Sequence, residues 1–194
     1  MKTYILLDRT GSMQDKWTEV INSINAYVKN LNSGIDIMLA TFDNTSYDVI
    51  RNCKKSEWKN ISEDEIAPRG MTNLYDSVVR MGTYILDDSQ DKAVFVIMTD
   101  GEENSSRKYT LLEARNLVQT LKDKNYEVLF MGAEFKEIYN VAGSFGVALD
   151  KTINVNTHNL NSTMRGLVAS GTNSYAAGSA AVSFTDKDKE KAVA

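Results

Sequence analysis

The stretch Tyr4-Ile5-Leu6-Leu7-Asp8-Arg9-Thr10-Gly11-Ser12 runs from four apolar residues directly into a polar turn that contains a glycine. A short continuous apolar run of this kind reads as a strand buried on both faces. After the turn, Trp17, Val20, Ile21, Ile24, Tyr27, Val28 and Leu31 recur at helical spacing, which gives a helix one apolar face. Asn32-Ser33-Gly34 ends that helix. Strand, polar turn and amphipathic helix together form the first half of a parallel α/β repeat.

The same alternation continues along the chain. Residues 35–42 read as a second strand, Asp43-Asn44-Thr45-Ser46 as a tight turn, and residues 47–51 as a short strand pairing back antiparallel at the sheet edge. Residues 52–69 read as irregular and hold Trp58 and the only proline, Pro68. Thr72 is expected to open a second helix with Leu74, Val78, Met81 and Ile85 on one face. Ala93-Val94-Phe95-Val96-Ile97-Met98 is the most apolar run and reads as the central strand. Thr110-Leu111-Leu112-Glu113 is a capping box that starts a helix reaching about Lys124. Residues 127–131 read as a strand, 135–145 as a helix, 152–155 as a last strand, with a final helical stretch from about Leu160. This order predicts an α/β fold: a doubly wound, mainly parallel sheet with helices on both faces.

Composition sets bounds on domain number and chemistry. A chain of 194 residues suits one domain, and the expectation is a single domain over residues 1–183 followed by a charged tail, 184–194. Within that tail, residues 186–191 alternate in sign and read as a solvated, frayed end. The stretch 166–183, rich in Gly, Ala and Ser, reads as close helix packing or a loosening C-terminus, with an oligomer contact as the alternative. The net charge of −4 comes without a basic stripe, which argues against a nucleic-acid partner. Cys53 is the only cysteine, so there is neither an internal disulfide nor a Cys/His zinc pattern. The single histidine, His158, lies in a loop-like stretch and reads as a surface or capping residue rather than a catalyst. Four apolar residues before Asp8 fall short of a signal peptide's apolar core of roughly 7–15. No apolar run approaches the ~20 residues of a membrane span. The expected setting is cytoplasmic, with no membrane partner.

Sites in open α/β sheets form at the carboxyl ends of the strands. Three polar loops should meet there. One gives Asp8, Thr10 and Ser12, which alternate along an extended turn and can converge on one point, with Gly11 letting the backbone bend between them. The second, Arg69-Gly70-Met71-Thr72-Asn73, gives Thr72, and the third, Thr99-Asp100-Gly101, gives Asp100. These five donors are three hydroxyls and two carboxylates. An all-oxygen set suits a hard divalent cation, Mg²⁺ first, with Mn²⁺ or Ca²⁺ as alternatives. If the carboxylates act through water, the inner shell is neutral, and the ion stays electron-poor enough to attract a carboxylate from outside.

The pattern Asp8-Arg9-Thr10-Gly11-Ser12, then Thr72, then Asp100 resembles the metal-ion-dependent adhesion site of von Willebrand factor A-type domains, which reads Asp-x-Ser-x-Ser, a distant Thr and a distant Asp. Thr10 replaces the first serine and keeps its hydroxyl. The resemblance covers nearly the whole chain and is closest to free-standing bacterial or phage versions, so the cytoplasm in question would be the host's if the chain is phage-encoded. It implies a six-stranded sheet with one antiparallel edge strand. It also implies hydroxyls on the metal, aspartates mostly acting through water, and a partner protein's Glu or Asp completing the shell. The function expected is a metal-dependent protein-binding module. Specificity would come from the rim, for which Arg9, Met13, Arg69, Met71 and Asn73 are the nearest candidates, ordinary loop packing being the alternative for each.

A second reading uses some of the same residues. Asp8-Arg9-Thr10-Gly11-Ser12 and Thr99-Asp100-Gly101-Glu102-Glu103-Asn104 are also similar to motifs of haloacid-dehalogenase-like phosphatases and P-type ATPases. There Asp8 would be a nucleophile towards phosphate, and Asp8 and Asp100 would hold Mg²⁺. Against it stand Thr10 where those phosphatases carry a second acid, the helix that begins where they insert a flap, and the absence of a role for Gly70-Met71-Thr72.

Overall fold

The computed structural model describes all residues, Met1–Ala194. Its strands are β1 (Lys2–Asp8), β2 (Asp36–Phe42), β3 (Tyr47–Lys54), β4 (Ala93–Thr99), β5 (Glu127–Ala133) and β6 (Thr152–Val155). The principal helices are α1 (Trp17–Asn30), α2 (Leu74–Asp88), α3 (Leu111–Asp123) and α4 (Ile138–Ser144). Beyond β6 come α5 (Leu160–Ser162), α6 (Ala169–Ala176) and α7 (Asp186–Val193). The strands form one six-stranded sheet in the order β3-β2-β1-β4-β5-β6. Every pairing is parallel except β2 with β3, so β3 is an antiparallel edge strand, bulged where Leu39 and Ala40 shift register.

The apolar run of β1 is divided between two cores by the two-residue period of a strand. Ile5 and Leu7 pack with α1, α5, α6 and α7, whereas Tyr4 and Leu6 pack with α2, α3 and α4. Helices therefore cover both faces, and β1 and β4 lie at the centre of the sheet. The chain leaves β1 towards β2 on one side and returns through α2 to β4 on the other. The carboxyl ends of β1 and β4 thus flank the switch point, where an open α/β sheet leaves a crevice.

Several boundaries move relative to the sequence reading. Thr72 precedes α2 rather than opening it, and Asn73 occupies the cap position. The helix expected over 135–145 begins only at Ile138. The capping box at Thr110 and Glu113 is formed as expected and starts α3. Residues 52–54, expected to be irregular, continue β3, and a 3₁₀ turn spans Lys55–Glu57.

The frayed end expected for residues 186–191 is corrected to a docked helix. Thr185 and Asp188 make a second capping box, and Ala192 is buried. Asn156 and Asn159 donate amide hydrogens to main-chain carbonyls at Lys191, Ala192, Val193 and Ala194, holding the helix end against the loop after β6. Within 166–183 close packing is seen at Ala169, which is buried, and at Gly171, where an added Cβ would lie 2.6 Å from Val182 Cγ1. Residues 177–181, by contrast, are exposed, and a Cβ added at Gly166 or Gly178 would meet nothing within 4 Å. Within this region Thr163–Val168 forms a π-helical turn between α5 and α6. No helix is long and apolar enough to cross a membrane.

Candidate metal centre

Three loops are laced together at the crevice by their main chains. Gly11 N donates to Gly70 O at 3.2 Å, and Arg69 N donates to Arg9 O at 2.8 Å. Asn104 N and Ser105 N both donate to Thr72 O at 3.0 Å, while Thr72 N donates to Asn104 Oδ1 at 2.9 Å. Glu103 accepts from the main-chain N–H of Tyr75, Ser105 and Ser106, tying the loop after β4 to the start of α2. Gly70 needs its glycine: φ is +74°, and a Cβ there would fall 2.4 Å from Asn44 Oδ1.

These loops bring the five expected donors into one cluster. Thr72 Oγ1 lies 3.3 Å from Thr10 Oγ1, Thr10 Oγ1 lies 3.2 Å from Ser12 Oγ, and Ser12 Oγ donates to Asp100 Oδ1 at 2.6 Å. Asp8 sits behind the hydroxyls. Its Oδ1 accepts from Thr10 N at 2.8 Å and its Oδ2 from Thr99 Oγ1 at 2.6 Å. Gly101 closes the cluster without filling it, for a Cβ there would meet Thr72 Oγ1 at 3.5 Å and Ser12 Oγ at 3.8 Å. Burial pushes the Asp8 carboxyl up to about 6, against the hydrogen bonds from Thr99 and Thr10 and with help from the charge of Asp100. Nowhere does the chain gather three or more His, Cys, Asp or Glu side chains that could hold a metal. A metal site in this protein has to be a mixed one, and a compact set of hydroxyls backed by two carboxylates fits a hard divalent cation.

A family model for the von Willebrand factor type A domain matches residues 3–166. The chain belongs to this family. No curated protein sequence matches it. Among solved structures, the A-domain fold recurs in the vWF domain of the type V pili tip protein Mfa5 from Porphyromonas gingivalis, with TM-score 0.67, 12% identity, and coverage of 90% of this chain and 95% of that one. It recurs in a von Willebrand factor type A protein from Catenulispora acidiphila, with TM-score 0.65, 15% identity, and coverage of 87% and 42%. It recurs again in proximal thread matrix protein 1 from the mussel byssus, described with a zinc-occupied MIDAS motif, with TM-score 0.67, 14% identity, and coverage of 87% and 46%. The chain thus spans less than half the length of the last two proteins.

The rim of this A domain differs from the sequence reading. Met13 is fully buried in the core and cannot contact a partner. Arg9 is 6% exposed and bound inward, donating to Asp43 Oδ2 at 2.9 Å, to Asp48 Oδ2 at 2.5 Å and to Ser46. Met71 remains available at 50% exposure, beside an exposed Arg69 and a half-buried Asn73. His158 is exposed and lies 3.0 Å from the carbonyl oxygen of Ala194, far along the chain from the donor cluster.

Two residues at the centre went unread in the sequence. Thr99 orients Asp8; its place at the end of β4, beside Asp100, was the only signal. Lys16 donates to Asp100 Oδ2 at 2.8 Å and to the carbonyl of Ala133, at the end of β5, at 3.2 Å. It follows Ser12 by four residues, one turn on, and nothing in its sequence neighbourhood separates it from an ordinary surface lysine.

Proposed function

We propose that the protein is a metal-dependent protein-binding module in which Asp8, Thr10, Ser12, Thr72 and Asp100 hold one divalent cation, Mg²⁺ before Mn²⁺ or Ca²⁺, for a partner protein's Glu or Asp to reach. The observation that carries this reading is the convergence of three hydroxyls and two carboxylates at the switch point of an A-domain sheet. The zinc-occupied MIDAS motif named for the mussel protein is a precedent for a divalent ion in this fold. The bound ion would supply positive charge at the mouth of the crevice. Thr10, Ser12 and Thr72 offer it neutral oxygens, so the charges set against it are those of Asp8 and Asp100 alone. Thr99 and the Thr10 N–H hold Asp8 in one orientation behind them. Exposed Met71 and Arg69 supply an adaptable and a charged contact at the edge.

The partner is to be sought by capture from a bacterial lysate in Mg²⁺ and eluted with EDTA. Its affinity should then fall at least tenfold in EDTA and in Thr72→Ala, whereas the variant's melting temperature in EDTA stays close to the wild type's. Equal affinity in all three conditions would place the binding surface elsewhere.

The phosphatase reading loses ground to the same geometry. Both carboxylate oxygens of Asp8 already accept hydrogen bonds and the residue is fully buried, a poor position for attack on phosphorus. Hydrolysis of p-nitrophenyl phosphate and ATP is expected to match buffer. Mg²⁺-dependent turnover that vanishes in Asp8→Asn would restore that reading.

A further inference from the structure

The Lys16 ammonium already occupies part of the donor cluster that the proposed function gives to a metal. The side chain leaves the end of a 3₁₀ turn, Gly11–Lys16, whose next residue is fixed: Trp17 is 3% exposed, and its Nε1 donates to Ile66 O at 2.7 Å. Lys16 therefore cannot drift far from the crevice. Its side chain is 15% exposed and that of Asp100 is 1% exposed, so water screens the pair weakly. Asp100 is fully engaged, with Ser12 Oγ on one oxygen and Lys16 on the other. The Ala133 carbonyl gives the ammonium a second anchor that does not depend on Asp100.

We propose that Lys16 is a built-in cation that competes with the divalent ion for Asp100 and sets the charge of the loaded site. This inference rests on the metal-binding reading above. The charge count gives the consequence. Asp8 and Asp100 carry two negative charges and Lys16 one positive, so the cluster holds −1 before a divalent ion binds and +1 after it. Without Lys16 the same cluster would go from −2 to neutral. Lys16 therefore weakens the grip on the metal and strengthens the loaded site's pull on an anion, because a net positive centre in a poorly screened crevice attracts a carboxylate more strongly than a neutral one does. Metal and anionic partner bind with positive coupling in either case, since the ion adds two charges with or without Lys16, and by linkage each raises the other's affinity by the same factor. Lys16 shifts the balance of the two steps, towards looser metal and tighter anion. The module holds its ion loosely when alone and firmly when a partner's carboxylate is present.

The test is a calorimetric titration of the full chain with Mn²⁺ and with Mg²⁺, in the wild type and in Lys16→Met, Lys16→Gln and Lys16→Arg. Met keeps the apolar stem and Gln keeps a polar end, so a folding defect in one leaves the other to report. Met and Gln should bind metal at least tenfold more tightly than the wild type, and Arg should stay within threefold of it. Acetate, used as the simplest carboxylate probe, should bind the metal-loaded wild type at least threefold more tightly than metal-loaded Lys16→Met. Equal metal affinity in the wild type and both neutral variants overturns the inference and leaves the metal site standing. Weaker binding in the neutral variants also overturns it, since Lys16 would then only position Asp100. No metal binding by any of the proteins overturns the metal reading and this inference with it.

Discussion

Asp43→Ala is expected to lose at least about 3 kcal/mol of stability, the lower end of the range for breaking a buried ion pair by removing one partner. Asp43 is fully buried and holds the hairpin turn and two guanidiniums at once. Its Oδ1 accepts from Thr45 N at 2.6 Å and Ser46 N at 3.0 Å, and its Oδ2 from Arg9 Nε and Arg69 Nε, each at 2.9 Å. Arg9 is nearly as buried, at 7% side-chain exposure, so removing the carboxylate strands a guanidinium that only Asp48 and Ser46 can then serve. In a chain of this size the loss should appear as a fall in Tm of about 6–12 °C. Burial raises the Asp43 carboxyl, but the hydrogen bonds from Thr45 and Arg69 and the charge of Arg9 outweigh it and hold the group well below the usual carboxylate range. A depressed native pKa contributes stability above the unfolded value, near 3.8, and loses it as the pH falls further. The difference between wild type and Asp43→Ala should therefore be constant from pH 8 to 5 and shrink below about pH 4. Asp48→Ala, at 47% side-chain exposure, should cost no more than about 1 kcal/mol. A loss below about 1 kcal/mol in Asp43→Ala would mean that the arginines find other partners and that this network does not hold the crevice loops.

Asp43 also illustrates where sequence reading stops. The turn over residues 43–46 was legible because aspartate followed by Asn, Thr and Ser is turn chemistry. Its second role was not, because Arg9 and Arg69 reach it from loops distant in sequence. The strands were legible for a simple reason: a strand buried on both faces must be apolar throughout, as β1 and β4 are. The hydroxyl and carboxylate cluster was legible because its members occupy strand ends and loop entries that only one fold class brings together. Lys16 was hidden by its type, since a lysine just before an amphipathic helix is ordinarily solvated. The tail was misread for a related reason. Its alternating charges drew attention, whereas the capping box at Thr185 and Asp188 and the buried anchors Val182 and Phe184 decided its structure. The π-helical turn at Thr163–Val168 left no trace in the apolar spacing.

Asp8→Asn should be more stable than the wild type in metal-free buffer and unresponsive to metal. The wild-type carboxyl, fully buried and raised from 3.8 to about 6, is held charged at pH 8 at a cost of about 3 kcal/mol, taking 1.36 kcal/mol per pKa unit. An amide of the same shape removes that cost and keeps most of the contacts. Its oxygen can accept from Thr10 N. The Thr99 hydroxyl can turn its hydrogen to Gly101 O, 3.1 Å away, and accept from the new amide. The sign with pH follows from the raised pKa. The wild type's contribution from a neutral Asp8 is present below the unfolded value, near 3.8, and is lost as the pH rises through about 6. In EDTA the Asn variant's advantage should thus be absent at pH 4, grow between pH 4 and 6, and level off above pH 6. Metal offsets most of the difference, because a ligand that binds only the folded state adds about 2.7 kcal/mol at 100 times its Kd. Saturating Mg²⁺ at pH 8 should raise the melting temperature of the wild type nearly to that of Asp8→Asn and leave the variant where it was. Such a convergence would be the mark of a site that keeps a charge buried for the sake of its ion. A variant less stable than the wild type in EDTA, or one that Mg²⁺ stabilises as much as the wild type, would show that Asp8 is a structural cap and that the ion, if it binds, is held by other residues.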